Sequence, residues 1–291
     1  MTPFQEVMNK FPFQESETEI KERVEKILNK QAEYENREVY KQILSFIDLT
    51  SLNNTDNDER ILKLVERVNR FGEAHPDVPN VAGICVFPCF TGTVQSALEE
   101  ERVKNVAVAG GFPHAQTFSE IKVAETALSV SEGAEEIDTV MPIGLFKSAD
   151  YDALIDELVE IKNACHGKTL KVILETGALD TQKAIWEAAL LCIYSGADFI
   201  KTSTGKITQG ATPEAVYTMC RAIKAYNSQF DLKIGIKVAG GISTTQEAVK
   251  YYAIVKEILG DEWLTPSLFR IGASRLVDHV WHSINEKEEN Y

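Results

Sequence analysis

In the stretch ADFIKTSTGK, residues 197–206, Lys201 follows Phe199 and Ile200 and precedes a run of small hydroxyl residues that Gly205 closes. A second lysine, Lys237, closes the apolar run of IGIKVAGGI, residues 234–242. Both read as lysines near the C-terminal end of a core strand. A charged ammonium is costly to bury there, so a chain that keeps one either pairs it or uses it uncharged. A single such lysine also fits a side chain snorkelling out at a strand end. Two on successive strand ends, one before TSTGK and one before a Gly-Gly turn, weaken that reading.

A neutral lysine amine adds to an aldehyde or ketone to give a carbinolamine and then an iminium ion, an electron sink for carbon–carbon cleavage. The ordinary lysine pKa is about 10.4, which leaves on the order of one amine in a few thousand nucleophilic at pH 7. Lowering it to about 7 raises that fraction about a thousandfold, at about 4 kcal/mol of destabilisation of the cation. A second lysine supplies part of this by like-charge repulsion, and burial supplies more. Such chemistry also needs a proton shuttle, and Asp138 in EEIDTVMP is the best-placed carboxylate, although its position also suits a helix cap or a rim aspartate. Asp48 in IDLT fits either a structural cap or a contact to a substrate hydroxyl.

The elements that must position these residues are legible as an alternation. Eight short β-branched runs, ILSFIDLT, VAGICVFP, NVAVAGGFP, EEIDTVMP, LKVILETG, ADFIKTST, IGIKVAGG and LFRIGAS, read as strands. Helical patterns lie between them, for instance over 56–71, 117–131, 149–164, 181–195, 213–226 and 244–259. Strand–helix alternation implies parallel pairing through right-handed crossovers. Eight repeats of one kind point to a closed (β/α)8 TIM barrel, and no G-x-G-x-x-G follows the first strand to favour a dinucleotide fold. Residues 1–41 form an N-terminal extension with a leading helix from about Ser16 to Glu33, opened by a Ser16/Glu19 capping box. The barrel then spans 42–285, and 286–291 form a flexible tail. The extension is expected to cap the barrel floor or join a subunit contact.

Composition narrows the function classes. A net charge of −14 with 44 acidic and 30 basic residues argues against a nucleic-acid surface or an anionic membrane. The odd cysteine count, five, reads as reduced thiols and a cytoplasmic location. No apolar run approaches a membrane span, and the N-terminus lacks the pattern of a signal peptide. The histidines lack metal-ligand spacing; His279 and His282 read as a surface pair, and neither metal nor organic cofactor is expected.

Barrel active sites lie at the C-terminal ends of the strands. Those ends carry Asp48, Thr50, Cys85, Asp138, Glu175, Lys201, Lys237 and the amides around Gly272. Gly240 and Gly241 after the seventh strand, and Gly272, Ala273 and Ser274 after the eighth, stand where barrels present backbone amides to a phosphate. Lys206 can add a charge-assisted contact. The inferred substrate is a phosphorylated aldehyde or sugar.

From about Phe46 to Val280 the chain resembles the deoxyribose-phosphate aldolase family. The resemblance rests on IDLT, EEIDTVMP, LKVILETG, ADFIKTSTGK with ATPE after it, IKVAGGI and RIGAS, in the family's order. It implies a class I aldolase on a (β/α)8 barrel that reversibly cleaves 2-deoxy-D-ribose 5-phosphate to D-glyceraldehyde 3-phosphate and acetaldehyde. Lys201 would be the Schiff-base lysine, Lys237 the lysine that perturbs it, and Asp138 a proton-relay partner through a water. Cys85 would line the substrate pocket within reach of electrophiles, and Gly240, Gly241 and Ser274 would hold the phosphate with Lys206 nearby. The final Tyr291 resembles the tail tyrosine that assists proton transfer in some members. A homodimer is a possible assembly, since members often dimerise. Two residues depart from the pattern. Val238 stands where many relatives carry proline, and Arg275 where a small residue is common, so that it either strengthens or crowds the phosphate site. The rivals are another Schiff-base barrel aldolase acting on ketone donors, and a sugar-phosphate sensor that binds without turnover.

Overall fold

Period-two runs of Ile, Val and Leu become eight short strands, and the amphipathic stretches between them become the helices that cover those strands. In the computed structural model, which describes residues 3–286, the strands are β1 (Ile47–Thr50), β2 (Gly83–Val86), β3 (Lys104–Ala109), β4 (Glu136–Val140), β5 (Thr169–Ile173), β6 (Phe199–Lys201), β7 (Gly235–Ala239) and β8 (Phe269–Ala273). All neighbouring pairs are parallel and β8 closes onto β1, giving a barrel in sequence order. The expected (β/α)8 TIM barrel is the observed fold.

The helices are α1 (Pro3–Lys10), α2 (Glu17–Leu28), α3 (Arg37–Ser45), α4 (Asp58–Ala74), α5 (Thr91–Ala97), α6 (Ser119–Ser131), α7 (Ile143–Lys147), α8 (Tyr151–Ala164), α9 (Gln182–Tyr194), α10 (Pro213–Phe230), α11 (Thr245–Leu259) and α12 (Leu276–Glu286). Most begin where the sequence places a cap: the side chains of Thr181, Thr212 and Thr244 each accept from a backbone amide in the first turn of α9, α10 and α11. The start of α4 shifts to Asp58 because Asp56 is spent on the preceding turn, accepting from Ser51 Oγ and Asn53 N. The first half of ILSFIDLT is helical rather than extended. Asn36 caps α3, and Val39, Tyr40, Ile43 and Leu44 form its buried stripe.

The leading segment packs along the outer helices rather than under the barrel. The capping box forms, with Ser16 Oγ accepting from Glu19 N and Glu19 Oε2 from Ser16 N. Ile20, Val24 and Ile27 are buried as α2 lies on α10 and α11, while α1 meets α9. Glu17 Oε1 accepts from Gln182 N at 2.9 Å, adding a carboxylate at the start of α9. The expectation of a floor cap is thereby corrected. Helix α3 runs through residues 41 and 42 without a break.

Strand alternation splits the side chains into two populations. Ile47, Leu49, Ile137, Leu170, Val172, Ile200, Ile236, Val238, Phe269 and Ile271 join the apolar layer shared with the helices. The alternate positions face the barrel interior. On the β2–β3 side these are apolar, with Cys85, Val106 and Val108 clustered. Around the rest of the barrel they include Val140, Ile173 and Phe199 and the charged Asp48, Glu136, Asp138, Lys171, Lys201, Lys237 and Arg270, all buried.

Candidate active site

Strand register brings the two lysines of the sequence analysis side by side. Lys201 on β6 pairs with Lys237 on β7, which pairs in turn with Arg270 on β8, and Asp138 on β4 pairs with Lys171 on β5. Lys201 Nζ and Lys237 Nζ donate to the same oxygen of Asp138, Oδ2, at 2.8 and 2.7 Å. The other oxygen, Oδ1, accepts from Lys171 Nζ at 2.9 Å. Below this layer Lys237 Nζ lies 2.5 Å from Asp48 Oδ2. Arg270 reaches Asp48 Oδ1 at 2.6 Å and grips Glu136 with both terminal nitrogens, and Lys171 reaches Glu136 Oε2 at 2.6 Å. Gly272 gives the network room, because a Cβ there would stand 3.2 Å from Lys237 Cε.

The linked groups are four cations, Lys171, Lys201, Lys237 and Arg270, and three carboxylates, Asp48, Glu136 and Asp138. One formal positive charge is in excess in a water-poor interior, where an uncompensated charge is expensive. The excess falls on Lys201. Burial is the largest influence and pushes its pKa down; Asp138 pushes it back up and Lys237 pushes it down again, and the balance lies below the ordinary lysine value. Lys237 is also buried, but Asp138 and Asp48 outweigh that and hold its pKa above the ordinary lysine value. Lys171 is likewise held above it by Asp138 and Glu136 against burial. The Asp138 carboxyl, pushed up by burial, is brought well below its ordinary range by Lys171, Lys201 and Lys237. Losing the Lys201 proton balances the cluster.

Lys201 is also the member of the cluster that opens on a cavity, of about 420 Å³ at the C-terminal ends of the strands. Its side chain is 4% exposed, and Thr50, Lys206, Gly240, Gly241, Gly272, Ser274 and Arg275 line the same space. The expected phosphate loops and Lys201 thus share one pocket. Gly240, at φ +93°, brings its loop so close to the β6 loop that a Cβ would meet Gly210 Cα at 2.8 Å, a position only glycine fills without strain. Lys206 Nζ donates to the Leu52 carbonyl, linking the β6 and β1 loops.

Other expected residues lie behind the pocket wall. Asp138 and Lys237 are fully buried beneath Lys201 and touch the pocket only through it. Asp48 is fully buried too, with its oxygens committed to Lys237 and Arg270, so the expected contact to a substrate hydroxyl is corrected. Cys85 does not line the cavity: it packs against Leu52, Val106 and Val108, and burial pushes its thiol pKa up, leaving less thiolate for an electrophile. Tyr291 lies outside the described residues. His282 pairs with Glu286 at 2.8 Å, and among the described residues no cluster of His, Cys, Asp and Glu is placed to hold a metal ion.

Sequence reasoning missed Lys171, Glu136 and Arg270. Each lies inside a run read as a strand, and each shares strand parity with a residue that was found: Glu136 with Asp138, Lys171 with Glu175, and Arg270 with Gly272. A charged residue on the inward parity of a barrel strand was the available signal. Glu175, read as a strand-end candidate, holds the β6 loop instead. It adopts φ +53°, is 3% exposed, and its carboxylate accepts from Thr204 N at 3.1 Å and from Thr204 Oγ1.

A model of the DeoC/LacD family aldolases matches residues 42–261 of the chain. The chain is 37% identical over 251 residues to the deoxyribose-phosphate aldolase of Homo sapiens, covering 83% of this chain and 79% of that one. It is 38% identical to the Mus musculus enzyme of the same name, with the same coverage. Among solved structures it is similar to the deoxyribose phosphate aldolase of Aeropyrum pernix, described as tetrameric, with a TM-score of 0.68 at 26% identity over 89% of this chain and 97% of that one. Among the described residues no helix is long and apolar enough to cross a membrane.

Proposed function

The chain belongs to the DeoC/LacD aldolase family and is an aldolase, a carbon–carbon lyase, and from that premise we propose that it reversibly cleaves 2-deoxy-D-ribose 5-phosphate to D-glyceraldehyde 3-phosphate and acetaldehyde through a Schiff base on Lys201. The observation that carries the proposal is the position of Lys201, an amine of lowered pKa in a cavity that Gly240, Gly241 and Ser274 also line.

The open-chain sugar presents its C1 aldehyde to the neutral Lys201 Nζ. Addition gives a carbinolamine, and loss of water gives the iminium. Removal of the C3 hydroxyl proton then breaks the C2–C3 bond. The bonding pair moves to C2 and conjugates with the iminium as an enamine, while C3 becomes the aldehyde of glyceraldehyde 3-phosphate. Protonation at C2 and hydrolysis of the iminium release acetaldehyde and restore the amine. Asp138 holds Lys201 by its Oδ2 and is the carboxylate through which protons pass to and from the nitrogen. Lys237 keeps its charge throughout, which maintains the pressure on Lys201 to lose its own. The Gly240, Gly241 and Ser274 amides and Lys206 bind the phosphate, fixing C1 over the amine. The free thiols of Cys85, Cys89, Cys165, Cys192 and Cys220 fit a reducing, cytoplasmic setting.

The test is borohydride trapping with 2-deoxyribose 5-phosphate, followed by intact mass and peptide mapping. A two-carbon adduct on the peptide carrying Lys201 is expected. A folded, substrate-binding protein that gives no adduct, or gives it on another lysine, overturns the assignment.

A further inference from the structure

The cavity above Lys201 has a charge opposite to that of the molecule. The sequence holds 44 acidic and 30 basic residues, yet the cavity lining contains three cations, Lys201, Lys206 and Arg275, and no carboxylate. Two of the three cations already have a protein partner, Lys201 in Asp138 and Lys206 in the Leu52 carbonyl, although the Lys206 ammonium keeps further N–H groups for a phosphate. Arg275 is exposed and, among the described residues, makes no hydrogen bond or ion pair. The acidic residue in the first turn of α12, Asp278, is taken by Arg67. Arg275 therefore lines the cavity together with Ser274 as an unpaired cation, directly before the positive end of α12, where a cation without a counter-ion is disfavoured.

An anion bound between Ser274 and Arg275 reverses that penalty. A guanidinium presents a planar fork that matches two phosphate oxygens, which an ammonium cannot do. We infer that Arg275 sets the preference of this enzyme for phosphorylated over unphosphorylated 2-deoxy sugars, by a guanidinium contact to the phosphate. The inference rests on the sugar-phosphate reading of the site and resolves the alternative left by the sequence, in which Arg275 either strengthens or crowds that site. The amides and Lys206 suffice to position C1, so the added guanidinium contact is a uniform one, alike in the ground and transition states, and its loss appears in KM rather than in kcat.

The test compares wild type with Arg275→Ala, Arg275→Gln and Arg275→Lys on 2-deoxyribose 5-phosphate and on 2-deoxyribose, alongside calorimetric binding of inorganic phosphate. For the alanine and glutamine variants, kcat/KM on the phosphorylated sugar is expected to fall on the order of ten- to a hundredfold, the range of one lost hydrogen bond to a charged group. Most of the fall lies in KM, activity on 2-deoxyribose stays within about twofold, and lysine recovers part of the loss. Equal changes on both sugars, or none, overturn the inference. So does a gain on the phosphorylated sugar, which would mean that Arg275 crowds the site. If wild type does not turn over 2-deoxyribose 5-phosphate, it is the proposed reaction that fails. Phosphate calorimetry then still decides Arg275, since equal affinity in wild type and Arg275→Ala rejects it.

Discussion

Lys201 and Lys237 are paired residues on adjacent parallel strands, and their two nitrogens converge on one oxygen of Asp138, at 2.8 and 2.7 Å. They are nevertheless unequal. Lys237 has a second carboxylate, Asp48, at 2.5 Å, while Lys201 has only its share of Asp138 and the cavity. That difference decides which lysine has its pKa lowered and which has it raised.

Lys237→Leu removes the like charge beside Lys201 and leaves Asp138 to it, so the Lys201 pKa rises. The reactive form is the neutral amine, which predominates above that pKa. The acidic limb of the kcat/KM profile should therefore move to higher pH, by about one to two pH units, with a ten- to hundredfold loss at neutral pH. Lys237→Arg, which keeps a cation, should move it less. A limb that stays in place in Lys237→Leu disproves the coupling.

Lys201→Leu should abolish aldol cleavage, by on the order of a thousandfold or more, and leave no trapped adduct. It should also stabilise the fold at neutral pH. The native state holds Lys201 at a lowered pKa, so the unfolded chain binds its proton more tightly, and the group weakens the native state at low and neutral pH. That cost fades as pH rises towards the ordinary lysine value of about 10.4. The stability gap between variant and wild type, from urea unfolding, should narrow along the same path. A variant less stable than wild type at pH 7 contradicts the charge count.

Arg270→Met strands Asp48 and Glu136 without their shared cation. Breaking a buried pair from one side typically costs about 3–5 kcal/mol, and denaturant unfolding should show a loss of that order. Lys63→Met, at the exposed pair with Glu59, should cost no more than about 0.5 kcal/mol. Similar losses in the two variants would mean that the interior network contributes little to stability.

Acid should release the same network. Asp48 and Asp138 are pushed up by burial, but the cations around them outweigh it and hold both pKa values below the ordinary carboxylate range. Their contribution is complete above the unfolded value of about 3.9 and is lost as pH falls through the native values. Unfolding free energy should thus drop steeply below about pH 4. Arg270→Met weakens the hold on Asp48 and raises its native pKa towards the unfolded value, so the variant should lose less stability over this range and complete its drop at higher pH than wild type.

Much of the site was legible in the chain because barrel geometry ties function to strand ends. Lys201 and the Gly240–Gly241 turn each follow an apolar run, and that local pattern suffices to place them at one mouth, while Lys237, which follows another, lies buried beside Lys201. Cys85 and Asp48 were misread for a related reason. Each lies on a strand of the catalytic barrel, yet depth along the barrel axis depends on strand stagger, which no local pattern reports. Asp48 consequently meets Lys237 in the buried interior, and Cys85 packs against Leu52, Val106 and Val108.

The sequence by itself determined the alternation of strands and helices, the closure it implies, and which strand ends carry amines and carboxylates, because each follows from periodicity within about ten residues. Only the tertiary structure decided the protonation of those amines. Asp138 meets Lys201 across 63 residues of chain and Lys237 across 99, and Arg270 meets Asp48 across 222. The excess charge that falls on Lys201 is a sum over all these partners at distances of a few ångströms. Such a sum exists only once the barrel has closed and excluded water from it.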